Sequence, residues 1–249
     1  MLRAQKTVAA AASAARTELK KLSRPAGEFD ASRYFRGEHS LGFYNTGTKP
    51  MRALARDIYL AHRDRWSLND ALAFADALIS DRYLEVKAVG LEVLARYRSV
   101  FTPLVLARCK RWLQSDRSTN WATTDEMCGV VIGPVLVRHP ALMTQMCAWA
   151  SHKNMWVRRA SIVGLLPAVR RGETKAAVDL VYDIAERLHP DPHDLIHKAV
   201  GWALREAGKV DPARLERYLR ANVRAIPRTT FRYAIERFEP RKRKQLLMI

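Results

Sequence analysis

Cysteine is scarce in this chain of 249 residues. Cys109, Cys128 and Cys147 are odd in number and form no CxxC pair. That pattern excludes a disulfide framework and a cysteine zinc site, and it reads as reduced core residues of an intracellular protein. Glycine and proline are modest at 11 each, with no Gly-X-Y or Ser-rich stretch, so a collagen-like or low-complexity chain is excluded. No apolar run approaches the ~18 residues that span a bilayer. Acidic residues are few: 25 Asp plus Glu stand against 43 Lys plus Arg, a net charge of +18. That excess points to a polyanionic partner, because neutralising phosphates releases counterions. Apolar residues, by contrast, make up 48% of the chain, enough for a core.

Helical periodicity recurs throughout and nothing alternates as a strand. Helices are expected near 5–22, 28–37, 48–63, 67–79, 83–98, 101–114, 118–138 and 140–150. Further ones are expected near 154–170, 173–189, 192–207, 211–221 and 227–247. Ser67 with Asp70, Thr102-Pro103 and Asp211-Pro212 supply start signals. No Gly/Ser linker divides the chain, so residues 1–249 read as one domain. Its Ala-rich residues 1–25, with no acid before Glu18, fit a transit peptide or an amphipathic first helix. Continuation through Leu19-Lys20-Lys21-Leu22 favours the helix.

An internal repeat carries more information. Val86-Lys87-Ala88-Val89-Gly90 matches His197-Lys198-Ala199-Val200-Gly201, and Arg158-Arg159-Ala160-Ser161-Ile162 fits the same slot. Arg52-Ala53-Leu54 and Arg232-Tyr233-Ala234 extend the series. Cations therefore fall at 52, 87, 159, 198 and 232, with gaps of 35, 72, 39 and 34, the second being two repeats. This is the period of paired-helix arrays such as HEAT repeats. The expected fold is an all-α, HEAT-like helical repeat solenoid, curved, with these cations striping a basic concave face.

One position in the series has the wrong sign. Asp125 stands 38 residues after Lys87 and 34 before Arg159, where a cation is due. A helix N-cap or an ion pair with Arg159 would explain it. So would a catalytic task, and the aromatic context favours that. Trp121 lies four residues before Asp125, on the same helix face, and Trp202 follows Lys198 by four. Two indoles and a carboxylate meeting in one cleft would suit a cationic ligand. Trp112, Trp149 and Trp156 are expected in the core.

Several segments together resemble the AlkD-type DNA alkylation repair glycosylases. They are Asn120-Trp121-Ala122-Thr123-Thr124-Asp125, Trp156-Val157-Arg158-Arg159-Ala160 and Lys198-Ala199-Val200-Gly201-Trp202-Ala203-Leu204-Arg205-Glu206. Phe43-Tyr44-Asn45-Thr46-Gly47-Thr48-Lys49-Pro50-Met51-Arg52 is similar to that family's aromatic-then-Gly-x-x-x-Pro segment before a helix. The likeness runs over roughly residues 15 to 240. It implies a HEAT-like solenoid that clasps duplex DNA and removes positively charged N3- or N7-alkylated purines. It further implies that Trp121 and Trp202 flank the damaged nucleotide and that Asp125 is the catalytic carboxylate. Arg159 then matches the basic partner of the DNA backbone, and Tyr44 lies near an additional aromatic contact. Arg52, Lys87, Lys198 and Arg232 would hold phosphates. Asn120 and Ala122 depart from the family, which often has an aromatic before that Trp and a polar or acidic residue after it. Some relatives lack the carboxylate and excise nothing.

In the chemistry so implied, the lesion stays stacked, unlike the extruded bases of most base-processing enzymes. The anion of Asp125 stabilises an oxocarbenium-like sugar and positions water. No cofactor or metal is called for. His189, His193 and His197 recur every four residues, but Pro190 and Pro192 interrupt them and no further ligand cluster completes a site. The expected partner is duplex DNA containing alkylated bases, met by a monomer with no membrane association. The expected setting is cytoplasmic and nucleoid-associated, with an organellar address left open. Two other classes compete: a non-catalytic solenoid that binds nucleic acid by shape, and a scaffold for acidic proteins. Arg241-Lys242-Arg243-Lys244 reads as a solvated, phosphate-reaching tail.

Overall fold

The computed structural model describes residues 2–27, 35, 41–115, 117, 120–171 and 175–249. It is 75% helical, and among the described residues no strand forms, as an all-α helical repeat fold requires. No single helix there is long and apolar enough to cross a membrane. The helix expected over 28–37 lies outside the described residues except for Phe35. Chain contacts divide the protein into two compact units, Met1–Val131 and Ile132–Ile249.

The first unit contains α1 (Leu2–Lys21), α2 (Thr48–His62), α3 (Leu68–Ile79), α4 (Leu84–Ala95), α5 (Pro103–Gln114) and α6 (Trp121–Met127). Val8, Ala12, Ala15 and Leu19 make the buried face of α1, and small residues there bring it close against α3. Arg16 on α1 donates to Asp81 at 2.7 Å and to the Ala77 carbonyl at 2.6 Å. The expected start of α3 is a full capping box between Ser67 and Asp70. Asp76 on α3 accepts from Trp112 Nε1 at 2.5 Å and from Arg108, which ties α5 to α3.

The second unit contains α7 (Gly133–Arg138), α8 (Gln145–Ala150), α9 (Met155–Val163), α10 (Leu166–Arg171), α11 (Lys175–Leu188), α12 (Asp194–Val210), α13 (Pro212–Ala221), α14 (Arg228–Ala234) and α15 (Pro240–Leu247). α12 is its centre and packs on α9, α11, α13 and α14. Asp211 caps α13 by accepting from Arg214 N at 2.8 Å. Trp149 and Trp156 are buried here, as Trp112 is in the first unit.

The helix expected over 118–138 runs unbroken from Trp121 to Arg138, as α6, a π-helical turn over Cys128–Ile132, and α7. Two other expected helices are broken. α9 and α10 part at Gly164, and α14 and α15 part before Pro240. The apolar periodicity carries across each break, while the Gly or Pro at the break interrupts the backbone. The C-terminal basic run is helical, with Arg241, Arg243 and Lys244 exposed. It lies on α15, which buries Leu246 and directs Lys242 to Glu216 at 2.9 Å.

The basic register is a packing register as well. Lys87 is 6% exposed, and its Nζ donates to the Ile79 and Arg117 carbonyls at 2.8 and 3.0 Å. Arg159, 5% exposed, donates to the Leu195 carbonyl, 36 residues on. Arg52 pairs with Glu92 at 2.7 Å. Each of these cations joins its own repeat to a later one. Lys87 and Arg159 therefore both depart from the exposed stripe. Lys87 stands inside the protein, where burial pushes its pKa down. Its repeat-mate Lys198 is bonded instead to Asp194 at 2.6 Å, one turn earlier. Tyr83 occupies that place before Lys87 and offers no carboxylate, so the ammonium turns to backbone carbonyls.

Candidate functional site

α6 begins with a buried cap. Asn120 Oδ1 accepts from the Thr123 amide at 2.8 Å, in extended backbone before the helix. The residue that replaces the family's aromatic thus does structural work, and capping of α6 falls to Asn120, not Asp125. From this start, Trp121 and Asp125 occupy successive turns of one face. Both line a cavity of about 980 Å³ in the first unit.

The segment after α1, from Arg24 to Gly27, forms part of the rest of the wall. α2 supplies Met51 and Arg52, and α4 supplies Leu84, Glu85 and Ala88. The loop before α2 supplies Phe43, Asn45, Thr46 and Gly47. That loop is fastened to the chain on both sides. Leu84 N donates to the Gly42 carbonyl at 3.0 Å, Arg24 N to the Tyr44 carbonyl at 2.9 Å, and Tyr44 N to both oxygens of Glu85. Gly47, the residue before α2, has φ 77° with open space around it, so its backbone shape and not crowding asks for glycine. Asn45, also left-handed at φ 53°, lines the cavity.

Aromatics dominate one side. Phe35 stacks on Trp121 with ring centroids 5.1 Å apart and planes 11° from parallel, and Phe43 leans on Phe35 at 5.3 Å. Tyr44 stacks on Tyr83 with ring centroids 3.9 Å apart. Burial and the neighbouring Tyr83, Asp81 and Glu85 push its phenol pKa up, with Arg82 opposing. Phe35 and Phe43 were not singled out in the sequence. Phe35 meets Trp121 across 86 positions, a contact with no local signature.

The charged lining consists of Arg24, Arg52, Glu85, Asp125 and Glu126. Of these, Arg52 is paired with Glu92 and Glu85 is bonded to the Tyr44 amide. A cavity that joins indole and phenyl faces to carboxyl groups suits a flat, apolar cation. Glu126 was also missed in the sequence, because its charged surroundings come from α2 and α4.

In the second unit, Trp202 on α12 is partly exposed and already carries a cation. The Arg170 guanidinium lies 5.4 Å from its ring centroid. Arg170 is held there by buried Glu206 at 3.0 Å, which also accepts from Lys209. Lys198 is half-exposed beside Asp194, and Arg232 is exposed on α14. The histidine row is dispersed: His189 Nε2 meets the Tyr218 hydroxyl at 2.7 Å and His197 Nε2 meets the Asp191 carbonyl at 2.5 Å.

Fold and site together define an all-α helical-repeat protein with a carboxylate in an aromatic-walled cavity. The family described as DNA alkylation repair enzyme matches residues 15–238. A solved structure of a predicted DNA alkylation repair enzyme from Enterococcus faecalis is similar in fold. Its TM-score is 0.73 at 18% identity, covering 88% of this chain and 97% of that one. No curated protein sequence matches this chain. The chain belongs to the DNA alkylation repair enzyme family, and its role is enzymatic DNA repair with DNA as substrate.

Proposed function

We propose that this enzyme is a DNA glycosylase that excises positively charged N3- and N7-alkylated purines from duplex DNA by hydrolysing the N-glycosidic bond. The observation that carries this reading is Asp125 beside Trp121 in the wall of an aromatic-lined cavity. Loss of an alkylated purine leaves an oxocarbenium-like sugar, and a fixed anion near it lowers the barrier. The purine is cationic and departs neutral, so the leaving base needs no strong acid. Asp125 stabilises the sugar and positions water, Trp121 contacts the damaged nucleotide, and the resemblance assigns Trp202 to the same nucleotide. Lys198 and Arg232, with Arg52 and Arg159, contribute to the field that holds the phosphates. The protein acts as a monomer.

Incubation with methylated duplex DNA and chromatography of the released bases tests the reading. It predicts free 7-methylguanine or 3-methyladenine. DNA that is bound in a salt-sensitive way and never loses a base would instead mark a shape-reading, non-catalytic protein.

A further inference from the structure

Glu126 follows Asp125 on α6 and lines the same cavity. The charged groups that act on it from the packed elements are Glu92 on α4 and Arg52 on α2, while Asp125 adjoins it on its own helix. Arg52 does not serve Glu126 alone, because its Nε is bonded to Glu92 at 2.7 Å and the Glu92 carboxylate is only 12% exposed. Glu85, the other carboxylate of the wall, is committed to the Tyr44 amide through both oxygens. Glu126 is thus a cavity-lining carboxyl with an acidic neighbour and a cation already shared with that neighbour.

We propose that Glu126 is a second catalytic carboxyl of this cavity, receiving the proton of the water that attacks the sugar while Asp125 supplies the stabilising negative charge. This rests on the glycosylase reading above. The water oxygen bonds to C1′ and the C1′–N bond breaks. Its electron pair passes to the purine, cancelling the positive charge there, and one water proton goes to a Glu126 oxygen. Two adjacent carboxyls in different surroundings can divide these tasks. Burial pushes the Glu126 carboxyl up to about 7, with Glu92 adding to the effect and Arg52 opposing it. A base that exchanges its proton near the working pH is the most effective kind.

The test measures single-turnover release of 7-methylguanine against pH for wild type, Glu126→Gln and Glu126→Asp, with a DNA-free stability titration of each. Wild type should gain rate through an inflection near pH 7. Glu126→Gln should lose the inflection and about 100-fold in rate, and Glu126→Asp should restore part of both. Without DNA, wild-type stability should fall as pH rises from 4.5 to about 7, because the folded chain keeps this proton longer than the unfolded one. Glu126→Gln should remove that component. A Gln variant that keeps the inflection, or stays within about twofold of the wild-type rate, overturns the proposal while leaving the glycosylase reading intact. Identical stability titrations of wild type and Gln variant overturn it too. No base release by wild type overturns both.

Discussion

Gly201 closes the Lys-Ala-Val-Gly repeat on α12, and a methyl group there has nowhere to go. An alanine Cβ would lie 2.5 Å from Tyr233 Cβ and 2.6 Å from the Thr230 carbonyl oxygen. Carbon atoms pack at ~3.5 Å, so α14 would have to withdraw by about 1 Å. Overpacking of this kind costs ~1–3 kcal/mol. Withdrawal also strains the 2.9 Å bond from Thr230 Oγ1 to the His197 carbonyl, a further ~1 kcal/mol. Against this, alanine favours the helix by ~1 kcal/mol. The balance for Gly201→Ala is a loss of about 2 kcal/mol, or roughly 4–8 °C in melting midpoint. Gly90, its repeat-mate on α4, is the control. There the new Cβ would meet Leu78 Cβ at 3.1 Å and Ala75 Cα at 3.4 Å, which a small shift relieves. Gly90→Ala should melt within about 2 °C of wild type. Differential scanning calorimetry of both variants decides it. Gly201→Ala melting at or above wild type would refute the reasoning that the repeat marks the closest helix contacts.

Other expectations are equally specific. Lys87→Met leaves the Ile79 and Arg117 carbonyls without their donor and should cost ~1–3 kcal/mol in urea unfolding, with the salt slope of DNA binding unchanged. Arg232→Ala should leave stability alone and reduce that salt slope by about 1. Asn120→Ala removes the cap of α6 and should cost ~1 kcal/mol, slowing base release through misplacement of Trp121 and Asp125. His189 is held neutral by burial, with His197 adding to the effect, and its pKa falls from 6.5 to about 4. Between those values the unfolded chain binds the proton and the folded one does not, so stability should drop as pH falls through that window. His189→Asn should flatten this part of the stability profile.

Much of this was visible in the sequence because repeats place equivalent positions alike. Asp125 stood out as a reversed sign in a cationic series, and Trp121 followed from helical spacing; both line the cavity. The same series misled at Lys87 and Arg159, which are both buried. Whether the Lys87 charge faces solvent depends on the residue one turn earlier, Tyr83 there and Asp194 before Lys198, and periodicity does not weigh that difference. Phe35 escaped notice because its partner is 86 positions away. Glu126 was overlooked beside Asp125, since its environment is made by α2 and α4, which α6 alone does not reveal. The helix breaks at Gly164 and before Pro240 were written in the residues, but an uninterrupted apolar pattern masked them.

The central claim concerns one carboxylate acting on a developing sugar cation. At ~4 Å and an effective dielectric of ~20, a unit charge there contributes ~4 kcal/mol, equivalent to roughly 10³ in rate. Asp125→Asn keeps the shape and removes the charge. Single-turnover release of 7-methylguanine from duplex DNA at saturating enzyme should fall by about that factor, with DNA affinity nearly unchanged. Release by Asp125→Asn at the wild-type rate would contradict the account.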